Sequence, residues 1–299
     1  VNTIHLSPAD ECRWMMFDHG GLMWLGTNSG LKSWDGYDFQ NFRSTAFSPG
    51  ILPNNTVLSI TEDHNKRLWL GTRNGLARLD MKTRNFNTFF IKGDAFRTIY
   101  TMYTSTDGTV WIGTDGGLTR YNEKNNKFET YTQENSIFFD SDGRQSTDCN
   151  ISVKSIIEDK KGNLYLGTWS DGVLKFNPKK RTFQRYDKIN NTNSAYSLLL
   201  DSKGRLWIGS WGEGIQMIPH PEQGPRAEHL TIPINATGFY TFYKIIEDPI
   251  SHKIWASSRE GICLIDPITL QANCYTQADA NPIGLCYNLN IDNMGNIWA

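Results

Sequence analysis

The stretch "EDHNKRLWLGTRNGLARLD", residues 62–80, sets out one structural unit and its punctuation. Asp63 opens a short polar turn, because a carboxylate accepts backbone hydrogen bonds across a tight bend. "RLWLGT" follows, then the bend "RNG", then "GLARLD" with its apolar residues on alternate positions. Alternation with a period of two is the mark of a half-buried strand, and Gly at the bend supplies the positive φ of a hairpin turn. Upstream, "LSITED" (58–63) reads as a first strand, and downstream "FNTFF" (86–90) as a fourth. The unit is a four-stranded antiparallel meander, lettered A to D here.

The unit recurs. Aromatic anchors like Trp69 stand at Trp24, Trp111, Tyr165, Trp207, Trp255 and Trp298, at separations of 45, 42, 54, 42, 48 and 43 residues. A period of 40–50 residues with four short strands is the signature of a β-propeller, one blade per period. One such sheet cannot bury both faces alone, so neighbours must stack. The expectation is an all-β, seven-bladed propeller of four-stranded antiparallel blades, forming a single domain over residues 1–299. "NIWA" (296–299) stops inside the seventh tetrad, so that blade is expected to be incomplete and the polypeptide to continue. "TIHLS" (3–7) sits in a strand-D position and is expected to close the ring. Blade 3 has Ser105 in place of the turn Asp, and blade 6 has an extra residue in "DPISHK" (248–253). Insertions occupy 132–150 and 219–228.

Composition removes several classes. Thirty basic residues against 31 acidic ones give a net charge of −1, with no Lys/Arg block, so no nucleic-acid partner is expected. No apolar run reaches the length of a membrane span. Five cysteines with no CxxC argue against a zinc site or a disulfide framework. One pair remains open: Cys263 and Cys274 flank "LIDPITLQAN", and a hairpin there would set them opposite each other, as a disulfide or as two buried thiols. Cys12 and Cys286 each lie six residues before the strand-A Asp and read as small apolar fillers.

The repeats "EDHNKRLWLGTRNGLARLD" and "STDGTVWIGTDGGLTRYN" (105–122) resemble the two-component regulator propeller repeat. The resemblance runs from about Arg13 to Ala299. It implies the periplasmic sensor region of a hybrid two-component histidine kinase that regulates glycan use. It further implies an oligosaccharide signal, a homodimer, and a membrane helix and kinase downstream in the same polypeptide. It supplies no ligand motif, so a site must be read from the residues.

The B–C bends present, four residues after each anchor, Asn28, Arg73, Asp115, Trp169, Trp211 and Arg259. The bends "LGTWSDG" (166–172) and "IGSWGEG" (208–214) are one residue longer than the rest and carry Trp169 with Asp171, and Trp211 with Glu213. Of ten tryptophans, these two alone fall in bends. A flat ring covers the C–H face of a pyranose while charged neighbours meet its hydroxyls. The candidate ligand-binding residues are therefore Trp169, Trp211, Asp171, Glu213, Arg73, Asp115 and Arg259, against the plainer reading that the indoles fill space between enlarged bends. The 132–150 insertion is expected to arch over this mouth, with "IFF" (137–139) as a lid or a loop anchor. "DSDGRQSTD" (140–148) has part of a calcium-loop spacing but reads better as a solvated acidic turn.

No cofactor, metal or catalytic set is expected. The six histidines are scattered, and neither HExxH nor GxSxG occurs. Paired carboxylates such as Asp115 with Asp171 or Glu213 leave a glycoside hydrolase or lyase as the runner-up, and a protein-interaction scaffold as a third reading.

Overall fold

The computed structural model of the chain describes Leu6 and residues 10–48, 50–186, 193–276 and 285–299. The chain divides into two compact units, Val1–Thr130 and Tyr131–Ala299. The first holds three four-stranded antiparallel sheets, each in the order A-B-C-D. In the second of these sheets the strands are Val57–Glu62, Arg67–Thr72, Gly75–Asp80 and Phe86–Phe89. The second unit holds three more complete blades and a two-stranded piece, Asn290–Ile291 with Ile297–Trp298. The fold is an all-β propeller of four-stranded antiparallel blades, and among the described residues the complete blades number six, not seven. The seventh anchor, Trp298, marks a repeat of which the sequence holds only strands A and B. Apart from Leu6, the expected closing strand at residues 3–7 lies outside the described residues.

Each turn Asp does two tasks. Asp63 Oδ1 accepts the amides of Asn65 and Arg67 at 2.9 and 3.0 Å, which closes the A–B bend. Its Oδ2 accepts the indole N–H of Trp69 at 2.8 Å, six residues on. The same six-residue link joins Trp24 to Asp18, Trp207 to Asp201 and Trp298 to Asp292. The indole can be buried without an orphaned donor. Trp24, Trp69 and Trp207 are all fully buried. Trp69 packs against Ile99, Met102 and Ile112 of the next blade, and Trp207 against Phe242, Ile245 and Ala256 of the next. A side chain of this size buried from water contributes roughly 1.5–3 kcal/mol.

The Gly of "LGT" answers a second need. A Cβ on Gly26 would lie 3.0 Å from the Val57 carbonyl oxygen, and one on Gly209 would lie 3.0 Å from Phe242 Cβ. At this station the next blade's strand A comes against strand B. The following Thr or Ser carbonyl completes the join, accepting the amide of Ile99 from Thr72, of Ala195 from Thr168 and of Phe242 from Ser210. Blade 6 carries Ser257 in place of the Gly. Its neighbour there is the small, buried Cys286, whose amide bonds the Ser258 carbonyl at 3.0 Å. Cys12 is only half-buried, and both thiols donate to the carbonyl two residues on.

Cys263 and Cys274 are register partners on strands C and D of blade 6, with Cα atoms 4.0 Å apart, and they form a disulfide. The insertion runs along the edge of blade 4 instead of arching over the bends. Ile137–Phe139 adds parallel to strand D (Thr182–Arg185), and Phe138 stacks on Phe183 at 4.5 Å, so "IFF" is an anchor. Asp140 Oδ1 accepts the amides of Asp142 and Arg144, as a turn residue does.

The blade 6 insertion breaks the six-residue link. Asp248 accepts the Ile250 amide and the Ser251 hydroxyl, and the Trp255 indole N–H has no acceptor. Asp201→Ala is therefore expected to cost at least about 2 kcal/mol, a charged hydrogen bond plus orphaned donors. Asp248→Ala is expected to cost less than half as much. Urea unfolding checks this, and equal losses would contradict the assigned role.

Candidate functional site

The B–C bends are clamped by a hydroxyl. Thr27, Thr72 and Thr114 donate to the carbonyls of Gly30, Gly75 and Gly117, three residues on, at 2.7–3.1 Å. In the two longer bends Thr168 and Ser210 reach Gly172 and Gly214, four residues on, both at 2.9 Å. The sheet is untouched by the extra residue. The backbone of each bend is also tied to its own strand A: the amides of Asn28, Arg73 and Trp169 bond the carbonyls of Glu11, Thr56 and Ser152. What projects is the side chain, and Asn28, Arg73, Asp115, Trp169, Trp211 and Arg259 are all exposed.

The two tryptophans come together. Trp169 and Trp211 are each 43% exposed, with ring centroids 5.3 Å apart and planes tilted by 56°. Three tyrosines continue the cluster, each half-buried. Tyr196 lies 6.5 Å from Trp169 and 5.6 Å from Trp211. Tyr243 lies 5.9 Å from Trp211, and Tyr287 lies 5.0 Å from Tyr243. These tilted and edge-on arrangements are the ones aromatic quadrupoles favour. Lys154 Nζ stands 5.9 Å from the Trp169 ring. Burial pushes the Lys244 ammonium, next along from Tyr243, below its ordinary range.

Sequence reading missed the tyrosines, although a signal exists. Tyr196, Tyr243 and Tyr287 each stand five residues before the turn Asp of their blade, as do Arg13, Leu58 and Lys154. In four blades the A–B register shifts at this residue, between Cys12/Trp14, Val57/Ser59, Val153/Ser155 and Phe242/Lys244. A bulge leaves the extra residue unpaired and re-aims its side chain.

The charged candidates divide. Asp171 is buried: its carboxylate pairs with Arg185 at 3.0 Å and accepts the Asn150 amide. It ties the end of the 132–150 insertion to its bend and to strand D, which is a holding role. Cys149 beside it is enclosed too; burial first, then the Asp171 charge, push its thiol up to about 12. Glu213 is half-buried, and its amide bonds Ser210 Oγ at 3.0 Å. Arg259 projects from the blade 6 bend. Arg73 and Asp115 stand in the first unit, where Asp115 accepts the Tyr100 hydroxyl at 2.7 Å. Among the described residues no helix is long and apolar enough to cross a membrane, and no group of three or more His, Cys, Asp or Glu is placed to hold a metal ion.

Known proteins share this architecture. The extracellular domain named as part of a hybrid two-component system of B. thetaiotaomicron superposes with a TM-score of 0.76 at 17% identity, covering 95% of this chain and 38% of that one. A second B. thetaiotaomicron extracellular domain, named for a one-component system, gives 0.56 at 20% identity, with 99% and 50% covered. A virginiamycin B lyase from Staphylococcus aureus gives 0.74 at 11% identity, with 98% and 96% covered. These likenesses establish the propeller fold. The chain spans half or less of the two B. thetaiotaomicron chains. No protein of curated function matches the sequence. Residues 51–74, 147–170 and 190–212 match the two-component regulator propeller model. The chain carries two-component regulator propeller repeats, as the resemblance implied.

A thiol titration checks the placement of the cysteines. Of the three free cysteines, only half-buried Cys12 is expected to react with Ellman's reagent in the native protein. Denaturant should expose Cys149 and Cys286, and reduction should release the remaining pair. Fast native reaction of Cys149 would contradict its enclosure beside Asp171.

Proposed function

We propose that residues 1–299 form one propeller domain that is the ligand-sensing part of a hybrid two-component sensor histidine kinase, and that its ligand is an oligosaccharide. The observation that carries this is the pair Trp169 and Trp211, half-exposed and in contact on two bends that the repeat does not require to be long. Exposed aromatic faces offer a sugar its C–H contacts, and Glu213 and Arg259 stand on the same bends or the next to meet hydroxyls. In this reading Asp171 serves the ligand by holding the Trp169 bend in shape.

In this reading the domain works in the periplasm, as the sensor part of an inner-membrane protein. The Cys263–Cys274 disulfide supports this, since such bonds persist in oxidising compartments. The partners are then the oligosaccharide, a second copy in a homodimer, and a kinase part of the same polypeptide beyond a membrane helix outside this sequence. The domain itself binds without turning over. Against the runner-up, a hydrolase or lyase, stands Asp171, whose carboxylate is engaged by Arg185 and so poorly placed for acid–base work.

Calorimetry with an oligosaccharide panel, combined with product analysis, tests the reading. The wild-type chain is expected to bind without forming products, and Trp169→Ala to lose binding while its unfolding midpoint stays close to wild type. Turnover would favour the enzyme. Unchanged affinity in Trp169→Ala, or no binding at all, would overturn the proposal in favour of a scaffold that meets another protein.

A further inference from the structure

The fold does not ask for tyrosine at the station five residues before the turn Asp. Arg13, Leu58 and Lys154 occupy it in three blades, and all three side chains are half-buried there. Three of the four repeats in the second unit have tyrosine there, Tyr196, Tyr243 and Tyr287, while in the first unit only blade 3 does, with Tyr100, whose hydroxyl bonds Asp115. Each touches another member of one set of rings, and with the two tryptophans they form a chain of contacts in which no step exceeds 6.5 Å. Ordinary core aromatics such as Trp207 and Phe242 are fully buried, whereas every ring of this chain keeps some surface toward solvent.

From this arrangement we infer that the site is a track and not a single stacking platform. It runs from Trp169 through Trp211 and Tyr243 to Tyr287, with Tyr196 behind the first two, and it takes an unbranched oligosaccharide of several rings. The inference rests on the proposed sugar reading and adds length recognition to it. The chemistry is graded along the track. At the indole end the faces are large and Lys154 stands over Trp169, which suits a ring and a hydroxyl or carboxylate of the terminal unit. Toward Tyr287 each ring brings a phenolic hydroxyl, donor and acceptor at once, which suits the hydroxyl-rich edge of following units. A monosaccharide covers one or two of these rings. Only a chain of several units can lie across Trp169 and Tyr287 together.

The Leu58 station supplies a conservative test, because leucine is already accommodated there in the first unit. The variants are Tyr243→Leu and Tyr287→Leu, with Trp169→Ala for comparison. The probes are gluco-, manno-, xylo- and galacto-oligosaccharides from disaccharide to hexasaccharide, titrated calorimetrically into the 299-residue chain. Wild-type affinity is expected to rise about tenfold from disaccharide to tetrasaccharide, a gain of about 1.4 kcal/mol. Both leucine variants should weaken the tetrasaccharide by a larger factor than the disaccharide, and so lose most of the length dependence. Trp169→Ala should weaken every length. If the disaccharide binds as tightly as the longer members, or if the leucine variants keep the length dependence, the track is overturned and the sugar reading stands. If no member binds wild type, the sugar reading fails and the track with it.

Discussion

One carboxylate with two jobs holds this structure together. The A–B turn Asp gives one oxygen to the amides of its own bend and the other to an indole on strand B, six residues later. The bend is thereby locked to a fully buried side chain that packs against the neighbouring sheet. The exceptions show what the link requires. In blade 4 the anchor is Tyr165, and Lys175 bridges its hydroxyl at 3.0 Å to Asp159 at 3.1 Å. Burial works against the Asp159 charge, yet bonds from Asn163, Lys175 and a turn amide outweigh it and hold the carboxyl below its ordinary range. In blade 3 the hydroxyl of Ser105 takes the turn position and donates a hydrogen bond to Asp107 at 2.6 Å. A polar group stays at the corner of each blade, and its partner changes to suit.

The same economy operates between sheets. A Gly on strand B lets the next strand A approach, and the carbonyl after it accepts that strand's amide. Where blade 6 departs from Gly, with Ser257, the facing residue is the small Cys286. The small pair keeps the approach close. In an interior packed to this density, added volume on one side is tolerated best where the facing side chain is small.

Much of this was readable from residue order. The Asp-to-Trp interval, the Gly and Thr of the bends, and the surplus of Trp169 and Trp211 all stand at fixed offsets. The hairpin between Cys263 and Cys274 was legible because its turn is local. Other features depend on residues far apart in the chain. Asp171 looked free for a ligand because Arg185 and Asn150, which engage it, lie in strand D and at the end of an insertion. The insertion itself gave no cue that Phe138 would stack on Phe183. The tyrosines of the cluster hid in strand beginnings, where an aromatic reads as ordinary β-propensity. Counting anchors counted repeats, and a repeat with two strands is not a blade.

The hydroxyl clamp at the foot of each B–C bend has a wider consequence. Thr72 spans three residues to Gly75 at 2.7 Å, and Thr168 spans four to Gly172 at 2.9 Å, with the strands beyond unchanged in register type. Loop length is thus insulated from sheet geometry by a single short bond. Such an architecture can exchange its rim piece by piece, lengthening one bend without refolding the blade beneath it. The sheets would then change slowly over evolutionary time and the bends quickly, and diversification of specificity would proceed one bend at a time.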